Sequence, residues 1–193
     1  MTLPSEFDEI HMRMSRAFIN NVRESFLKEL VNDFAVVLDI GNQKKYDLSS
    51  HKFKTVTLDL SEDDHPDIVG DITKTNIHIP PNSFDAILCT EVLEHVVDPF
   101  AAVRELRRIT KKGGYLLVTT PLNARIHGPI PDCWRFTEFG LKVLLRDWET
   151  VDFFKLDTPN RNLFPLHYGI IVKNINDSSV DSDPREMSFT PVE

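Results

Sequence analysis

Several apolar runs in this chain end in residues that could hold a ligand or move a proton. The run 35–40 contains Asp39 and is followed by Gly41. The run 55–60 contains Asp59 and Leu60, and 67–72 contains Gly70, Asp71 and Ile72. The run 84–90 ends in Cys89 and Thr90 and continues as Glu91-Val92-Leu93-Glu94-His95-Val96. A glycine after a strand permits a tight turn and close approach of a ligand to the backbone. Asp59 lies 18 positions beyond Gly41. A carboxylate about 20 residues past such a turn is placed to accept hydrogen bonds from ribose hydroxyls. Asp71 could accept an adenine amino group. His95 is a general-base candidate because an imidazole titrates near neutrality; packing against the helix that follows is the other reading. His127, in the Pro/Gly-marked stretch 123–136, is a second base candidate or a solvated loop residue. Trp134, Arg135 and Phe136 could wall a substrate, anchor an anion, or simply pack.

These groups meet only if the elements around them form an open sheet, where ligands sit at the carboxyl ends of the strands. The pattern supports one. Strands are expected at 35–40, 55–60, 67–72, 84–90 and 115–120. A helix is expected from Asp98 as cap and Pro99 as first turn, with Phe100, Val103 and Leu106 on one face and Gly113-Gly114 as its stop. A further helix is expected over 138–145 with Thr137 as cap. Runs 150–156 and 167–172 have no helical pattern between them, so they are expected to pair as an antiparallel hairpin. Phe18, Ile19, Val22, Phe26, Leu27 and Leu30 repeat at helical spacing near the start. Alternating strands and helices imply a mostly parallel α/β sheet with helices on both faces.

Composition narrows the chemistry. The 193 residues suit one domain, and a net charge of −8 argues against nucleic acid, which demands a basic face. Two cysteines, Cys89 and Cys133, offer no disulfide framework, which fits a reducing compartment. The acidic start is not a signal peptide, and no apolar stretch approaches the roughly 18 residues of a membrane span. A cytoplasmic setting is expected. The seven histidines show no ligand-like pairing such as HxxxH, so no metal site is expected. A P-loop and a GxSxG elbow are absent from the sequence.

In this order, "VLDIG", "TLDLS", "VGDIT" and "FDAILCTEVLEHVVDPFAAVRELRRITKKGGYLLVTTP" resemble the class I S-adenosylmethionine-dependent methyltransferases, nearest the small-molecule branch called methyltransferase type 11. The likeness runs over about 35–120, with fainter support from "CWRFTEFGLKVLL". It implies a Rossmann-like seven-stranded sheet ending in the antiparallel hairpin, a feature unusual in dehydrogenases. It implies S-adenosyl-L-methionine as cofactor, with S-adenosyl-L-homocysteine as product. Asp39 and Gly41 would line the methionine part. Asp59, with Leu60 beside it, would hold the ribose. Asp71 and Ile72 would meet the adenine, and Cys89, Thr90 and Glu91 would border the sulfonium. The family's glycines two and four residues after Gly41 are replaced here by Gln43 and Lys45. Either Asn42 or Gln43 contributes a side-chain amide in their place, or cofactor binding is weakened or lost.

The chain is therefore expected to divide into an N-terminal helical segment, 1–34, that covers the sheet or acts as a lid; a methyltransferase domain, 35–175; and a polar, disordered tail, 176–193. The expected activity is methyl transfer to O or N of a small metabolite, such as a sugar or natural-product intermediate. The alternatives are a non-catalytic module acting through a protein partner and a nicotinamide dehydrogenase. Nucleic-acid amine methylation is disfavoured, because Cys-Thr-Glu-Val stands where those enzymes carry Asn/Asp-Pro-Pro-aromatic. The small size fits a small acceptor or a pocket completed by a second subunit in a homodimer.

Overall fold

The computed structural model describes residues 6–41, 48–63, 65–161 and 163–175, the Phe7 side chain excepted. Seven strands form one sheet in the order β3-β2-β1-β4-β5-β7-β6. They are β1 (Val36–Ile40), β2 (Lys54–Asp59), β3 (Ile68–Val69), β4 (Phe84–Thr90), β5 (Thr110–Pro121), β6 (Glu149–Asp157) and β7 (Pro165–Lys173). β1 pairs in parallel with both β2 and β4, and β5 pairs in parallel with β4. β7 runs antiparallel to β5 and to β6, as the absence of a helical pattern between them predicts. This is the Rossmann-like seven-stranded sheet with its terminal hairpin.

Alternation along the strands divides the core in two, because successive side chains point to opposite faces. Val37, Ala86, Leu88, Leu117 and Ile171 face one side. There they meet Val22, Phe26 and Leu27 of α1 (Glu6–Leu30). Leu38, Ile87, Cys89, Leu116 and Ile170 face the other side. There they meet Ala102, Val103 and Leu106 of α2 (Pro99–Ile109), and Leu141 and Leu144 of α3 (Glu138–Leu144). Helices thus cover both faces.

The caps follow the sequence. The Asp98 side chain accepts from Ala101 N and precedes Pro99. The Thr137 hydroxyl accepts from Gly140 N. Two expectations are corrected. Gly113-Gly114 does not stop α2, which ends at Ile109 and passes through the extended Thr110 straight into β5. Gly114 answers instead to strand packing: a Cβ there would lie 2.8 Å from the Asp85 carbonyl oxygen. The third strand is also shorter than expected, so Asp71 and Ile72 fall in the loop beyond it. Asn42 and Gln43, and the tail from 176, lie outside the described residues. No helix among the described residues is long and apolar enough to cross a membrane.

Candidate functional site

The strand order reverses between β1 and β4, and the carboxyl ends of β1, β4 and β5 open into a cavity of about 610 Å3. Gly41, Thr90 and Glu91 line its floor, His95 and His127 one wall, and His167 another. α1 covers it, with lining residues from Asp8 to Arg23. Met12, Ser15, Ile19 and Arg23, three or four positions apart, put one helical stripe on the cavity. Across the mouth, Arg125 lies 3.5 Å from Asp8.

The residues after β1 and β4 divide by strand parity. Asp39 and Thr90 point toward α1, where the Arg23 guanidinium reaches Asp39 Oδ2 at 3.3 Å and the Thr90 hydroxyl at 3.2 Å. Asp39 is therefore sealed beneath Arg23 and lines no part of the cavity. Cys89 points the opposite way, into the core under α2 and α3. It is fully buried, and burial beside Glu94 and Asp39 pushes its thiol far up, so its side chain borders no ligand. The expected side-chain roles of Asp39 and Cys89 are corrected on that ground.

Gly41 makes the turn out of β1 with φ +67°. A Cβ there would come 3.0 Å from Val92, so glycine is needed for conformation and for room. Glu91 also has positive φ, +57°, which turns its carboxylate back over the sheet. There the Thr119 hydroxyl donates to it at 3.0 Å and His167 Nε2 lies 2.9 Å away. His167 Nδ1 in turn lies 3.0 Å from the Ser15 hydroxyl of α1. A Ser15–His167–Glu91–Thr119 chain thus crosses the cavity floor.

Asp59 and Asp71 stand apart from this cavity, beyond β2 and β3. Asp59 accepts from Ser61 N through Oδ1 at 2.9 Å, and Leu60 beside it is 70% exposed. Asp71 accepts from the Thr73 amide and hydroxyl and pairs with Lys74 at 3.1 Å. Partial burial pushes its carboxyl up, but those bonds prevail and hold it below the usual range. Ile72 is buried in the core. The loop that carries these groups is fixed by Glu105 of α2, whose Oε1 accepts from Asn76 N at 2.8 Å and Nδ2 at 3.1 Å.

The loop after β5 folds back over the loop after β4. Cys133 N and Trp134 N both donate to the Glu94 carbonyl, at 2.7 and 3.1 Å, and Trp134 Nε1 donates to Val96 O at 2.8 Å. This clamp brings His127 against His95, with ring centroids 5.0 Å apart and planes at 81°. His95 and His127 are 32 positions apart in sequence, so the lack of an HxxxH-like pairing does not keep two histidines from meeting. Between them sits the Glu94 carboxylate, fully buried, with Oε1 3.7 Å from His95 Nε2 and 3.9 Å from His127 Nε2. Burial, reinforced by the nearby charge of Glu91, pushes the Glu94 carboxyl well above the usual range. Arg135 grips Asp132 through both terminal guanidinium nitrogens, and those bonds hold the Asp132 carboxyl far below its usual range against burial. Arg135 is therefore committed within the loop.

Sequence reasoning passed over Arg23, Ser15, Glu94 and His167. Arg23 and Ser15 are two of many polar residues along α1, and nothing local marks them as ones that face the cavity. Glu94 stands within the quoted "EVLEHV", but nothing local signals its burial. His167 lies near the start of an apolar strand and shows no motif.

Residues 34–118 match the family model described as "Methyltransferase domain". A "Ubiquinone biosynthesis O-methyltransferase" of Pseudomonas aeruginosa is 32% identical over 98 residues, 49% of this chain and 40% of that protein's length. The chain thus spans less than half of this relative. The structure of a SAM-dependent methyltransferase from Methanosarcina mazei superposes with TM-score 0.61 at 18% identity, covering 78% of this chain and 97% of the other. The 1,6-didemethyltoxoflavin-N1-methyltransferase of Burkholderia thailandensis, solved with bound 1,6-didemethyltoxoflavin and S-adenosylhomocysteine, gives TM-score 0.56 at 14% identity, covering 91% of this chain and 93% of the other. Residues 34–118 thus resemble a methyltransferase domain, and the fold is the one that these S-adenosylmethionine-dependent methyltransferase structures share.

Proposed function

We propose that this protein transfers a methyl group from S-adenosyl-L-methionine to an oxygen of a small hydroxylated metabolite. The observation that carries the reading is the cavity itself. It places Gly41 and Thr90, at the strand ends, within one space with four imidazoles, those of His11, His95, His127 and His167. A volume of about 610 Å3 suits small-molecule ligands. A methyl on sulfonium is already activated, so alignment and exclusion of water supply most of the acceleration. A hydroxyl acceptor needs its proton drawn off as well, which favours a site rich in imidazole. The matched relative is named as an O-methyltransferase, which supports oxygen over nitrogen.

Within this reading Asp59 accepts from the ribose hydroxyls through the oxygen that Ser61 leaves open, with Leu60 against the adenine edge. Asp71 and Ile72 close the adenine side, Asp71 through its backbone. Gly41 lets the methionine portion approach, with Asn42 beside it, and Arg23 faces the carboxylate of that portion with a guanidinium shaped for it. Thr90 and the Glu91 backbone border the sulfonium. His95 and His127 face the acceptor.

Calorimetric titration with S-adenosylmethionine and S-adenosylhomocysteine tests this. One site in the micromolar range is expected, weakened at least about tenfold in Asp59→Ala, a loss of about 1.4 kcal/mol. Absence of binding at millimolar ligand overturns the enzyme reading in favour of a non-catalytic module.

A further inference from the structure

We propose that Glu94, His95 and His127 bind a divalent transition-metal ion, Zn2+ fitting best, on the wall of the cavity. All three ligand atoms lie within 4.8 Å of one another. The argument begins with the protons. His95 Nδ1 lies 3.0 Å from the Pro131 carbonyl oxygen. His127 Nδ1 lies 3.2 Å from the Arg125 carbonyl oxygen and 3.4 Å from Asp132 Oδ2. Carbonyls and an ionised carboxylate only accept, so in each neutral ring Nδ1 carries the hydrogen and Nε2 presents a lone pair. Both lone pairs then face Glu94, whose two carboxyl oxygens are buried and have no hydrogen-bond partner among the described residues. Lone pairs turned toward a buried, unbonded carboxylate repel, and so arranged they are expensive to bury. A cation at their centre converts the conflict into coordination.

The dimensions agree. Zinc–nitrogen bonds near 2.05 Å and zinc–oxygen bonds near 2.1 Å place tetrahedral ligands about 3.4 Å apart. The two distances from Glu94, 3.7 and 3.9 Å, need a contraction of a few tenths of an ångström, and the remaining pair, which lies within 4.8 Å, closes by a small rotation of the two rings. Two imidazoles and one carboxylate form a donor set suited to zinc and its neighbours and leave a coordination position open. The outer shell is built: Asp132, fixed by Arg135, backs His127, and the Pro131 carbonyl backs His95, as ligating histidines require. His95 and His127 both line the cavity, so the open position faces the ligand. One consequence rests on the methyl-transfer reading above. An acceptor hydroxyl bound at that position is acidified, as metal-bound water is.

The untagged protein, stripped with a chelator, is titrated calorimetrically with Zn2+ in a non-coordinating buffer without S-adenosylmethionine, so the result does not depend on methyl transfer. One ion per chain is expected. Glu94→Gln, His95→Ala and His127→Ala should each weaken it at least about a hundredfold, while Cys133→Ser, which removes the exposed thiol, leaves it unchanged. Asp132→Asn should weaken it about 10–100-fold. Glu94→Gln removes a buried charge, so its melting temperature without metal should not fall; that control separates lost ligation from lost folding. No one-to-one binding below about 100 μM, or binding indifferent to all three substitutions, overturns the site and means that protons alone hold the cluster. Co2+ replacing Zn2+ should give the visible absorption of a four- or five-coordinate ion; the spectrum of the free aqueous ion would equally overturn it.

Discussion

Arg23 Nη2 lies 3.3 Å from Asp39 Oδ2, and both side chains are closed to solvent, at 3% and 0% exposure. The pair fastens α1 to the end of β1, just under the cavity. Removing one member of a buried pair strands the other, so Arg23→Ala should destabilise the fold by about 3–5 kcal/mol. Urea denaturation measures it. Asp39→Asn in the same background should recover part of the loss; failure to recover any would mean the pair is not what holds α1.

His167 joins α1 to the sheet at a second point. Glu91→Ala removes the acceptor at its Nε2 and should cost about 1–3 kcal/mol. The loss should be local. Hydrogen exchange of α1 amides around Ser15 should accelerate, while β4 and β5 keep their protection. Uniform acceleration across the sheet would count against the Ser15–His167–Glu91 link as a latch.

Glu105 gives a pH-dependent case. Burial pushes its carboxyl up, but hydrogen bonds from Arg108 and Asn76 outweigh that and hold it below the ordinary value of 4.5. A carboxyl depressed in the folded state contributes stability that is present above the unfolded value and lost as pH falls through the folded one. Wild type should therefore exceed Glu105→Gln by about 2–3 kcal/mol at pH 7. The difference should shrink below about pH 4.5. A constant gap from pH 7 to pH 3 would exclude the carboxylate as its source. Because Glu105 holds Asn76, the variant should also weaken cofactor binding.

Two glycines separate strain from crowding. Gly41→Ala meets a left-handed backbone as well as Val92, and should cost about 1–2 kcal/mol. At Gly70 the backbone is not left-handed, but a Cβ would come 2.6 Å from Asn76 Oδ1. Gly70→Ala should therefore act through the Asn76–Glu105 network, and its effect should fall when combined with Glu105→Gln. Strict additivity of the two would contradict that route.

The strands and helices could be read from the sequence because their signals are local. Asp98-Pro99 and Thr137 state where helices begin, and the apolar runs around Leu38 and Leu88 state where buried strands lie. Gly113-Gly114 misled, since a glycine pair stops a helix and also admits close strand packing, and only the partner strand decides between them. The site was legible by residue but not by contact. His95 and His127 were both named, yet what joins them is the clamp from Cys133 and Trp134 to the Glu94 carbonyl, a tertiary bond without a sequence period. Cys89 and Thr90 were grouped by adjacency, whereas the pleat sends them to opposite faces of the sheet.

The sheet's two margins bear on how the protein meets copies of itself. β3 offers only two residues for pairing. β6 pairs with β7 through register shifts at Thr150/Asp152 and Leu156/Asp157, and it carries Asp152, Lys155 and Asp157 exposed. A ragged, charged margin is a poor template for an incoming strand, and a two-residue one scarcely templates at all. Neither side can readily extend into a continuous intermolecular ribbon. A homodimer of this chain would have to form through helices and loops, and the hairpin would shield the nascent protein from fibrillar association.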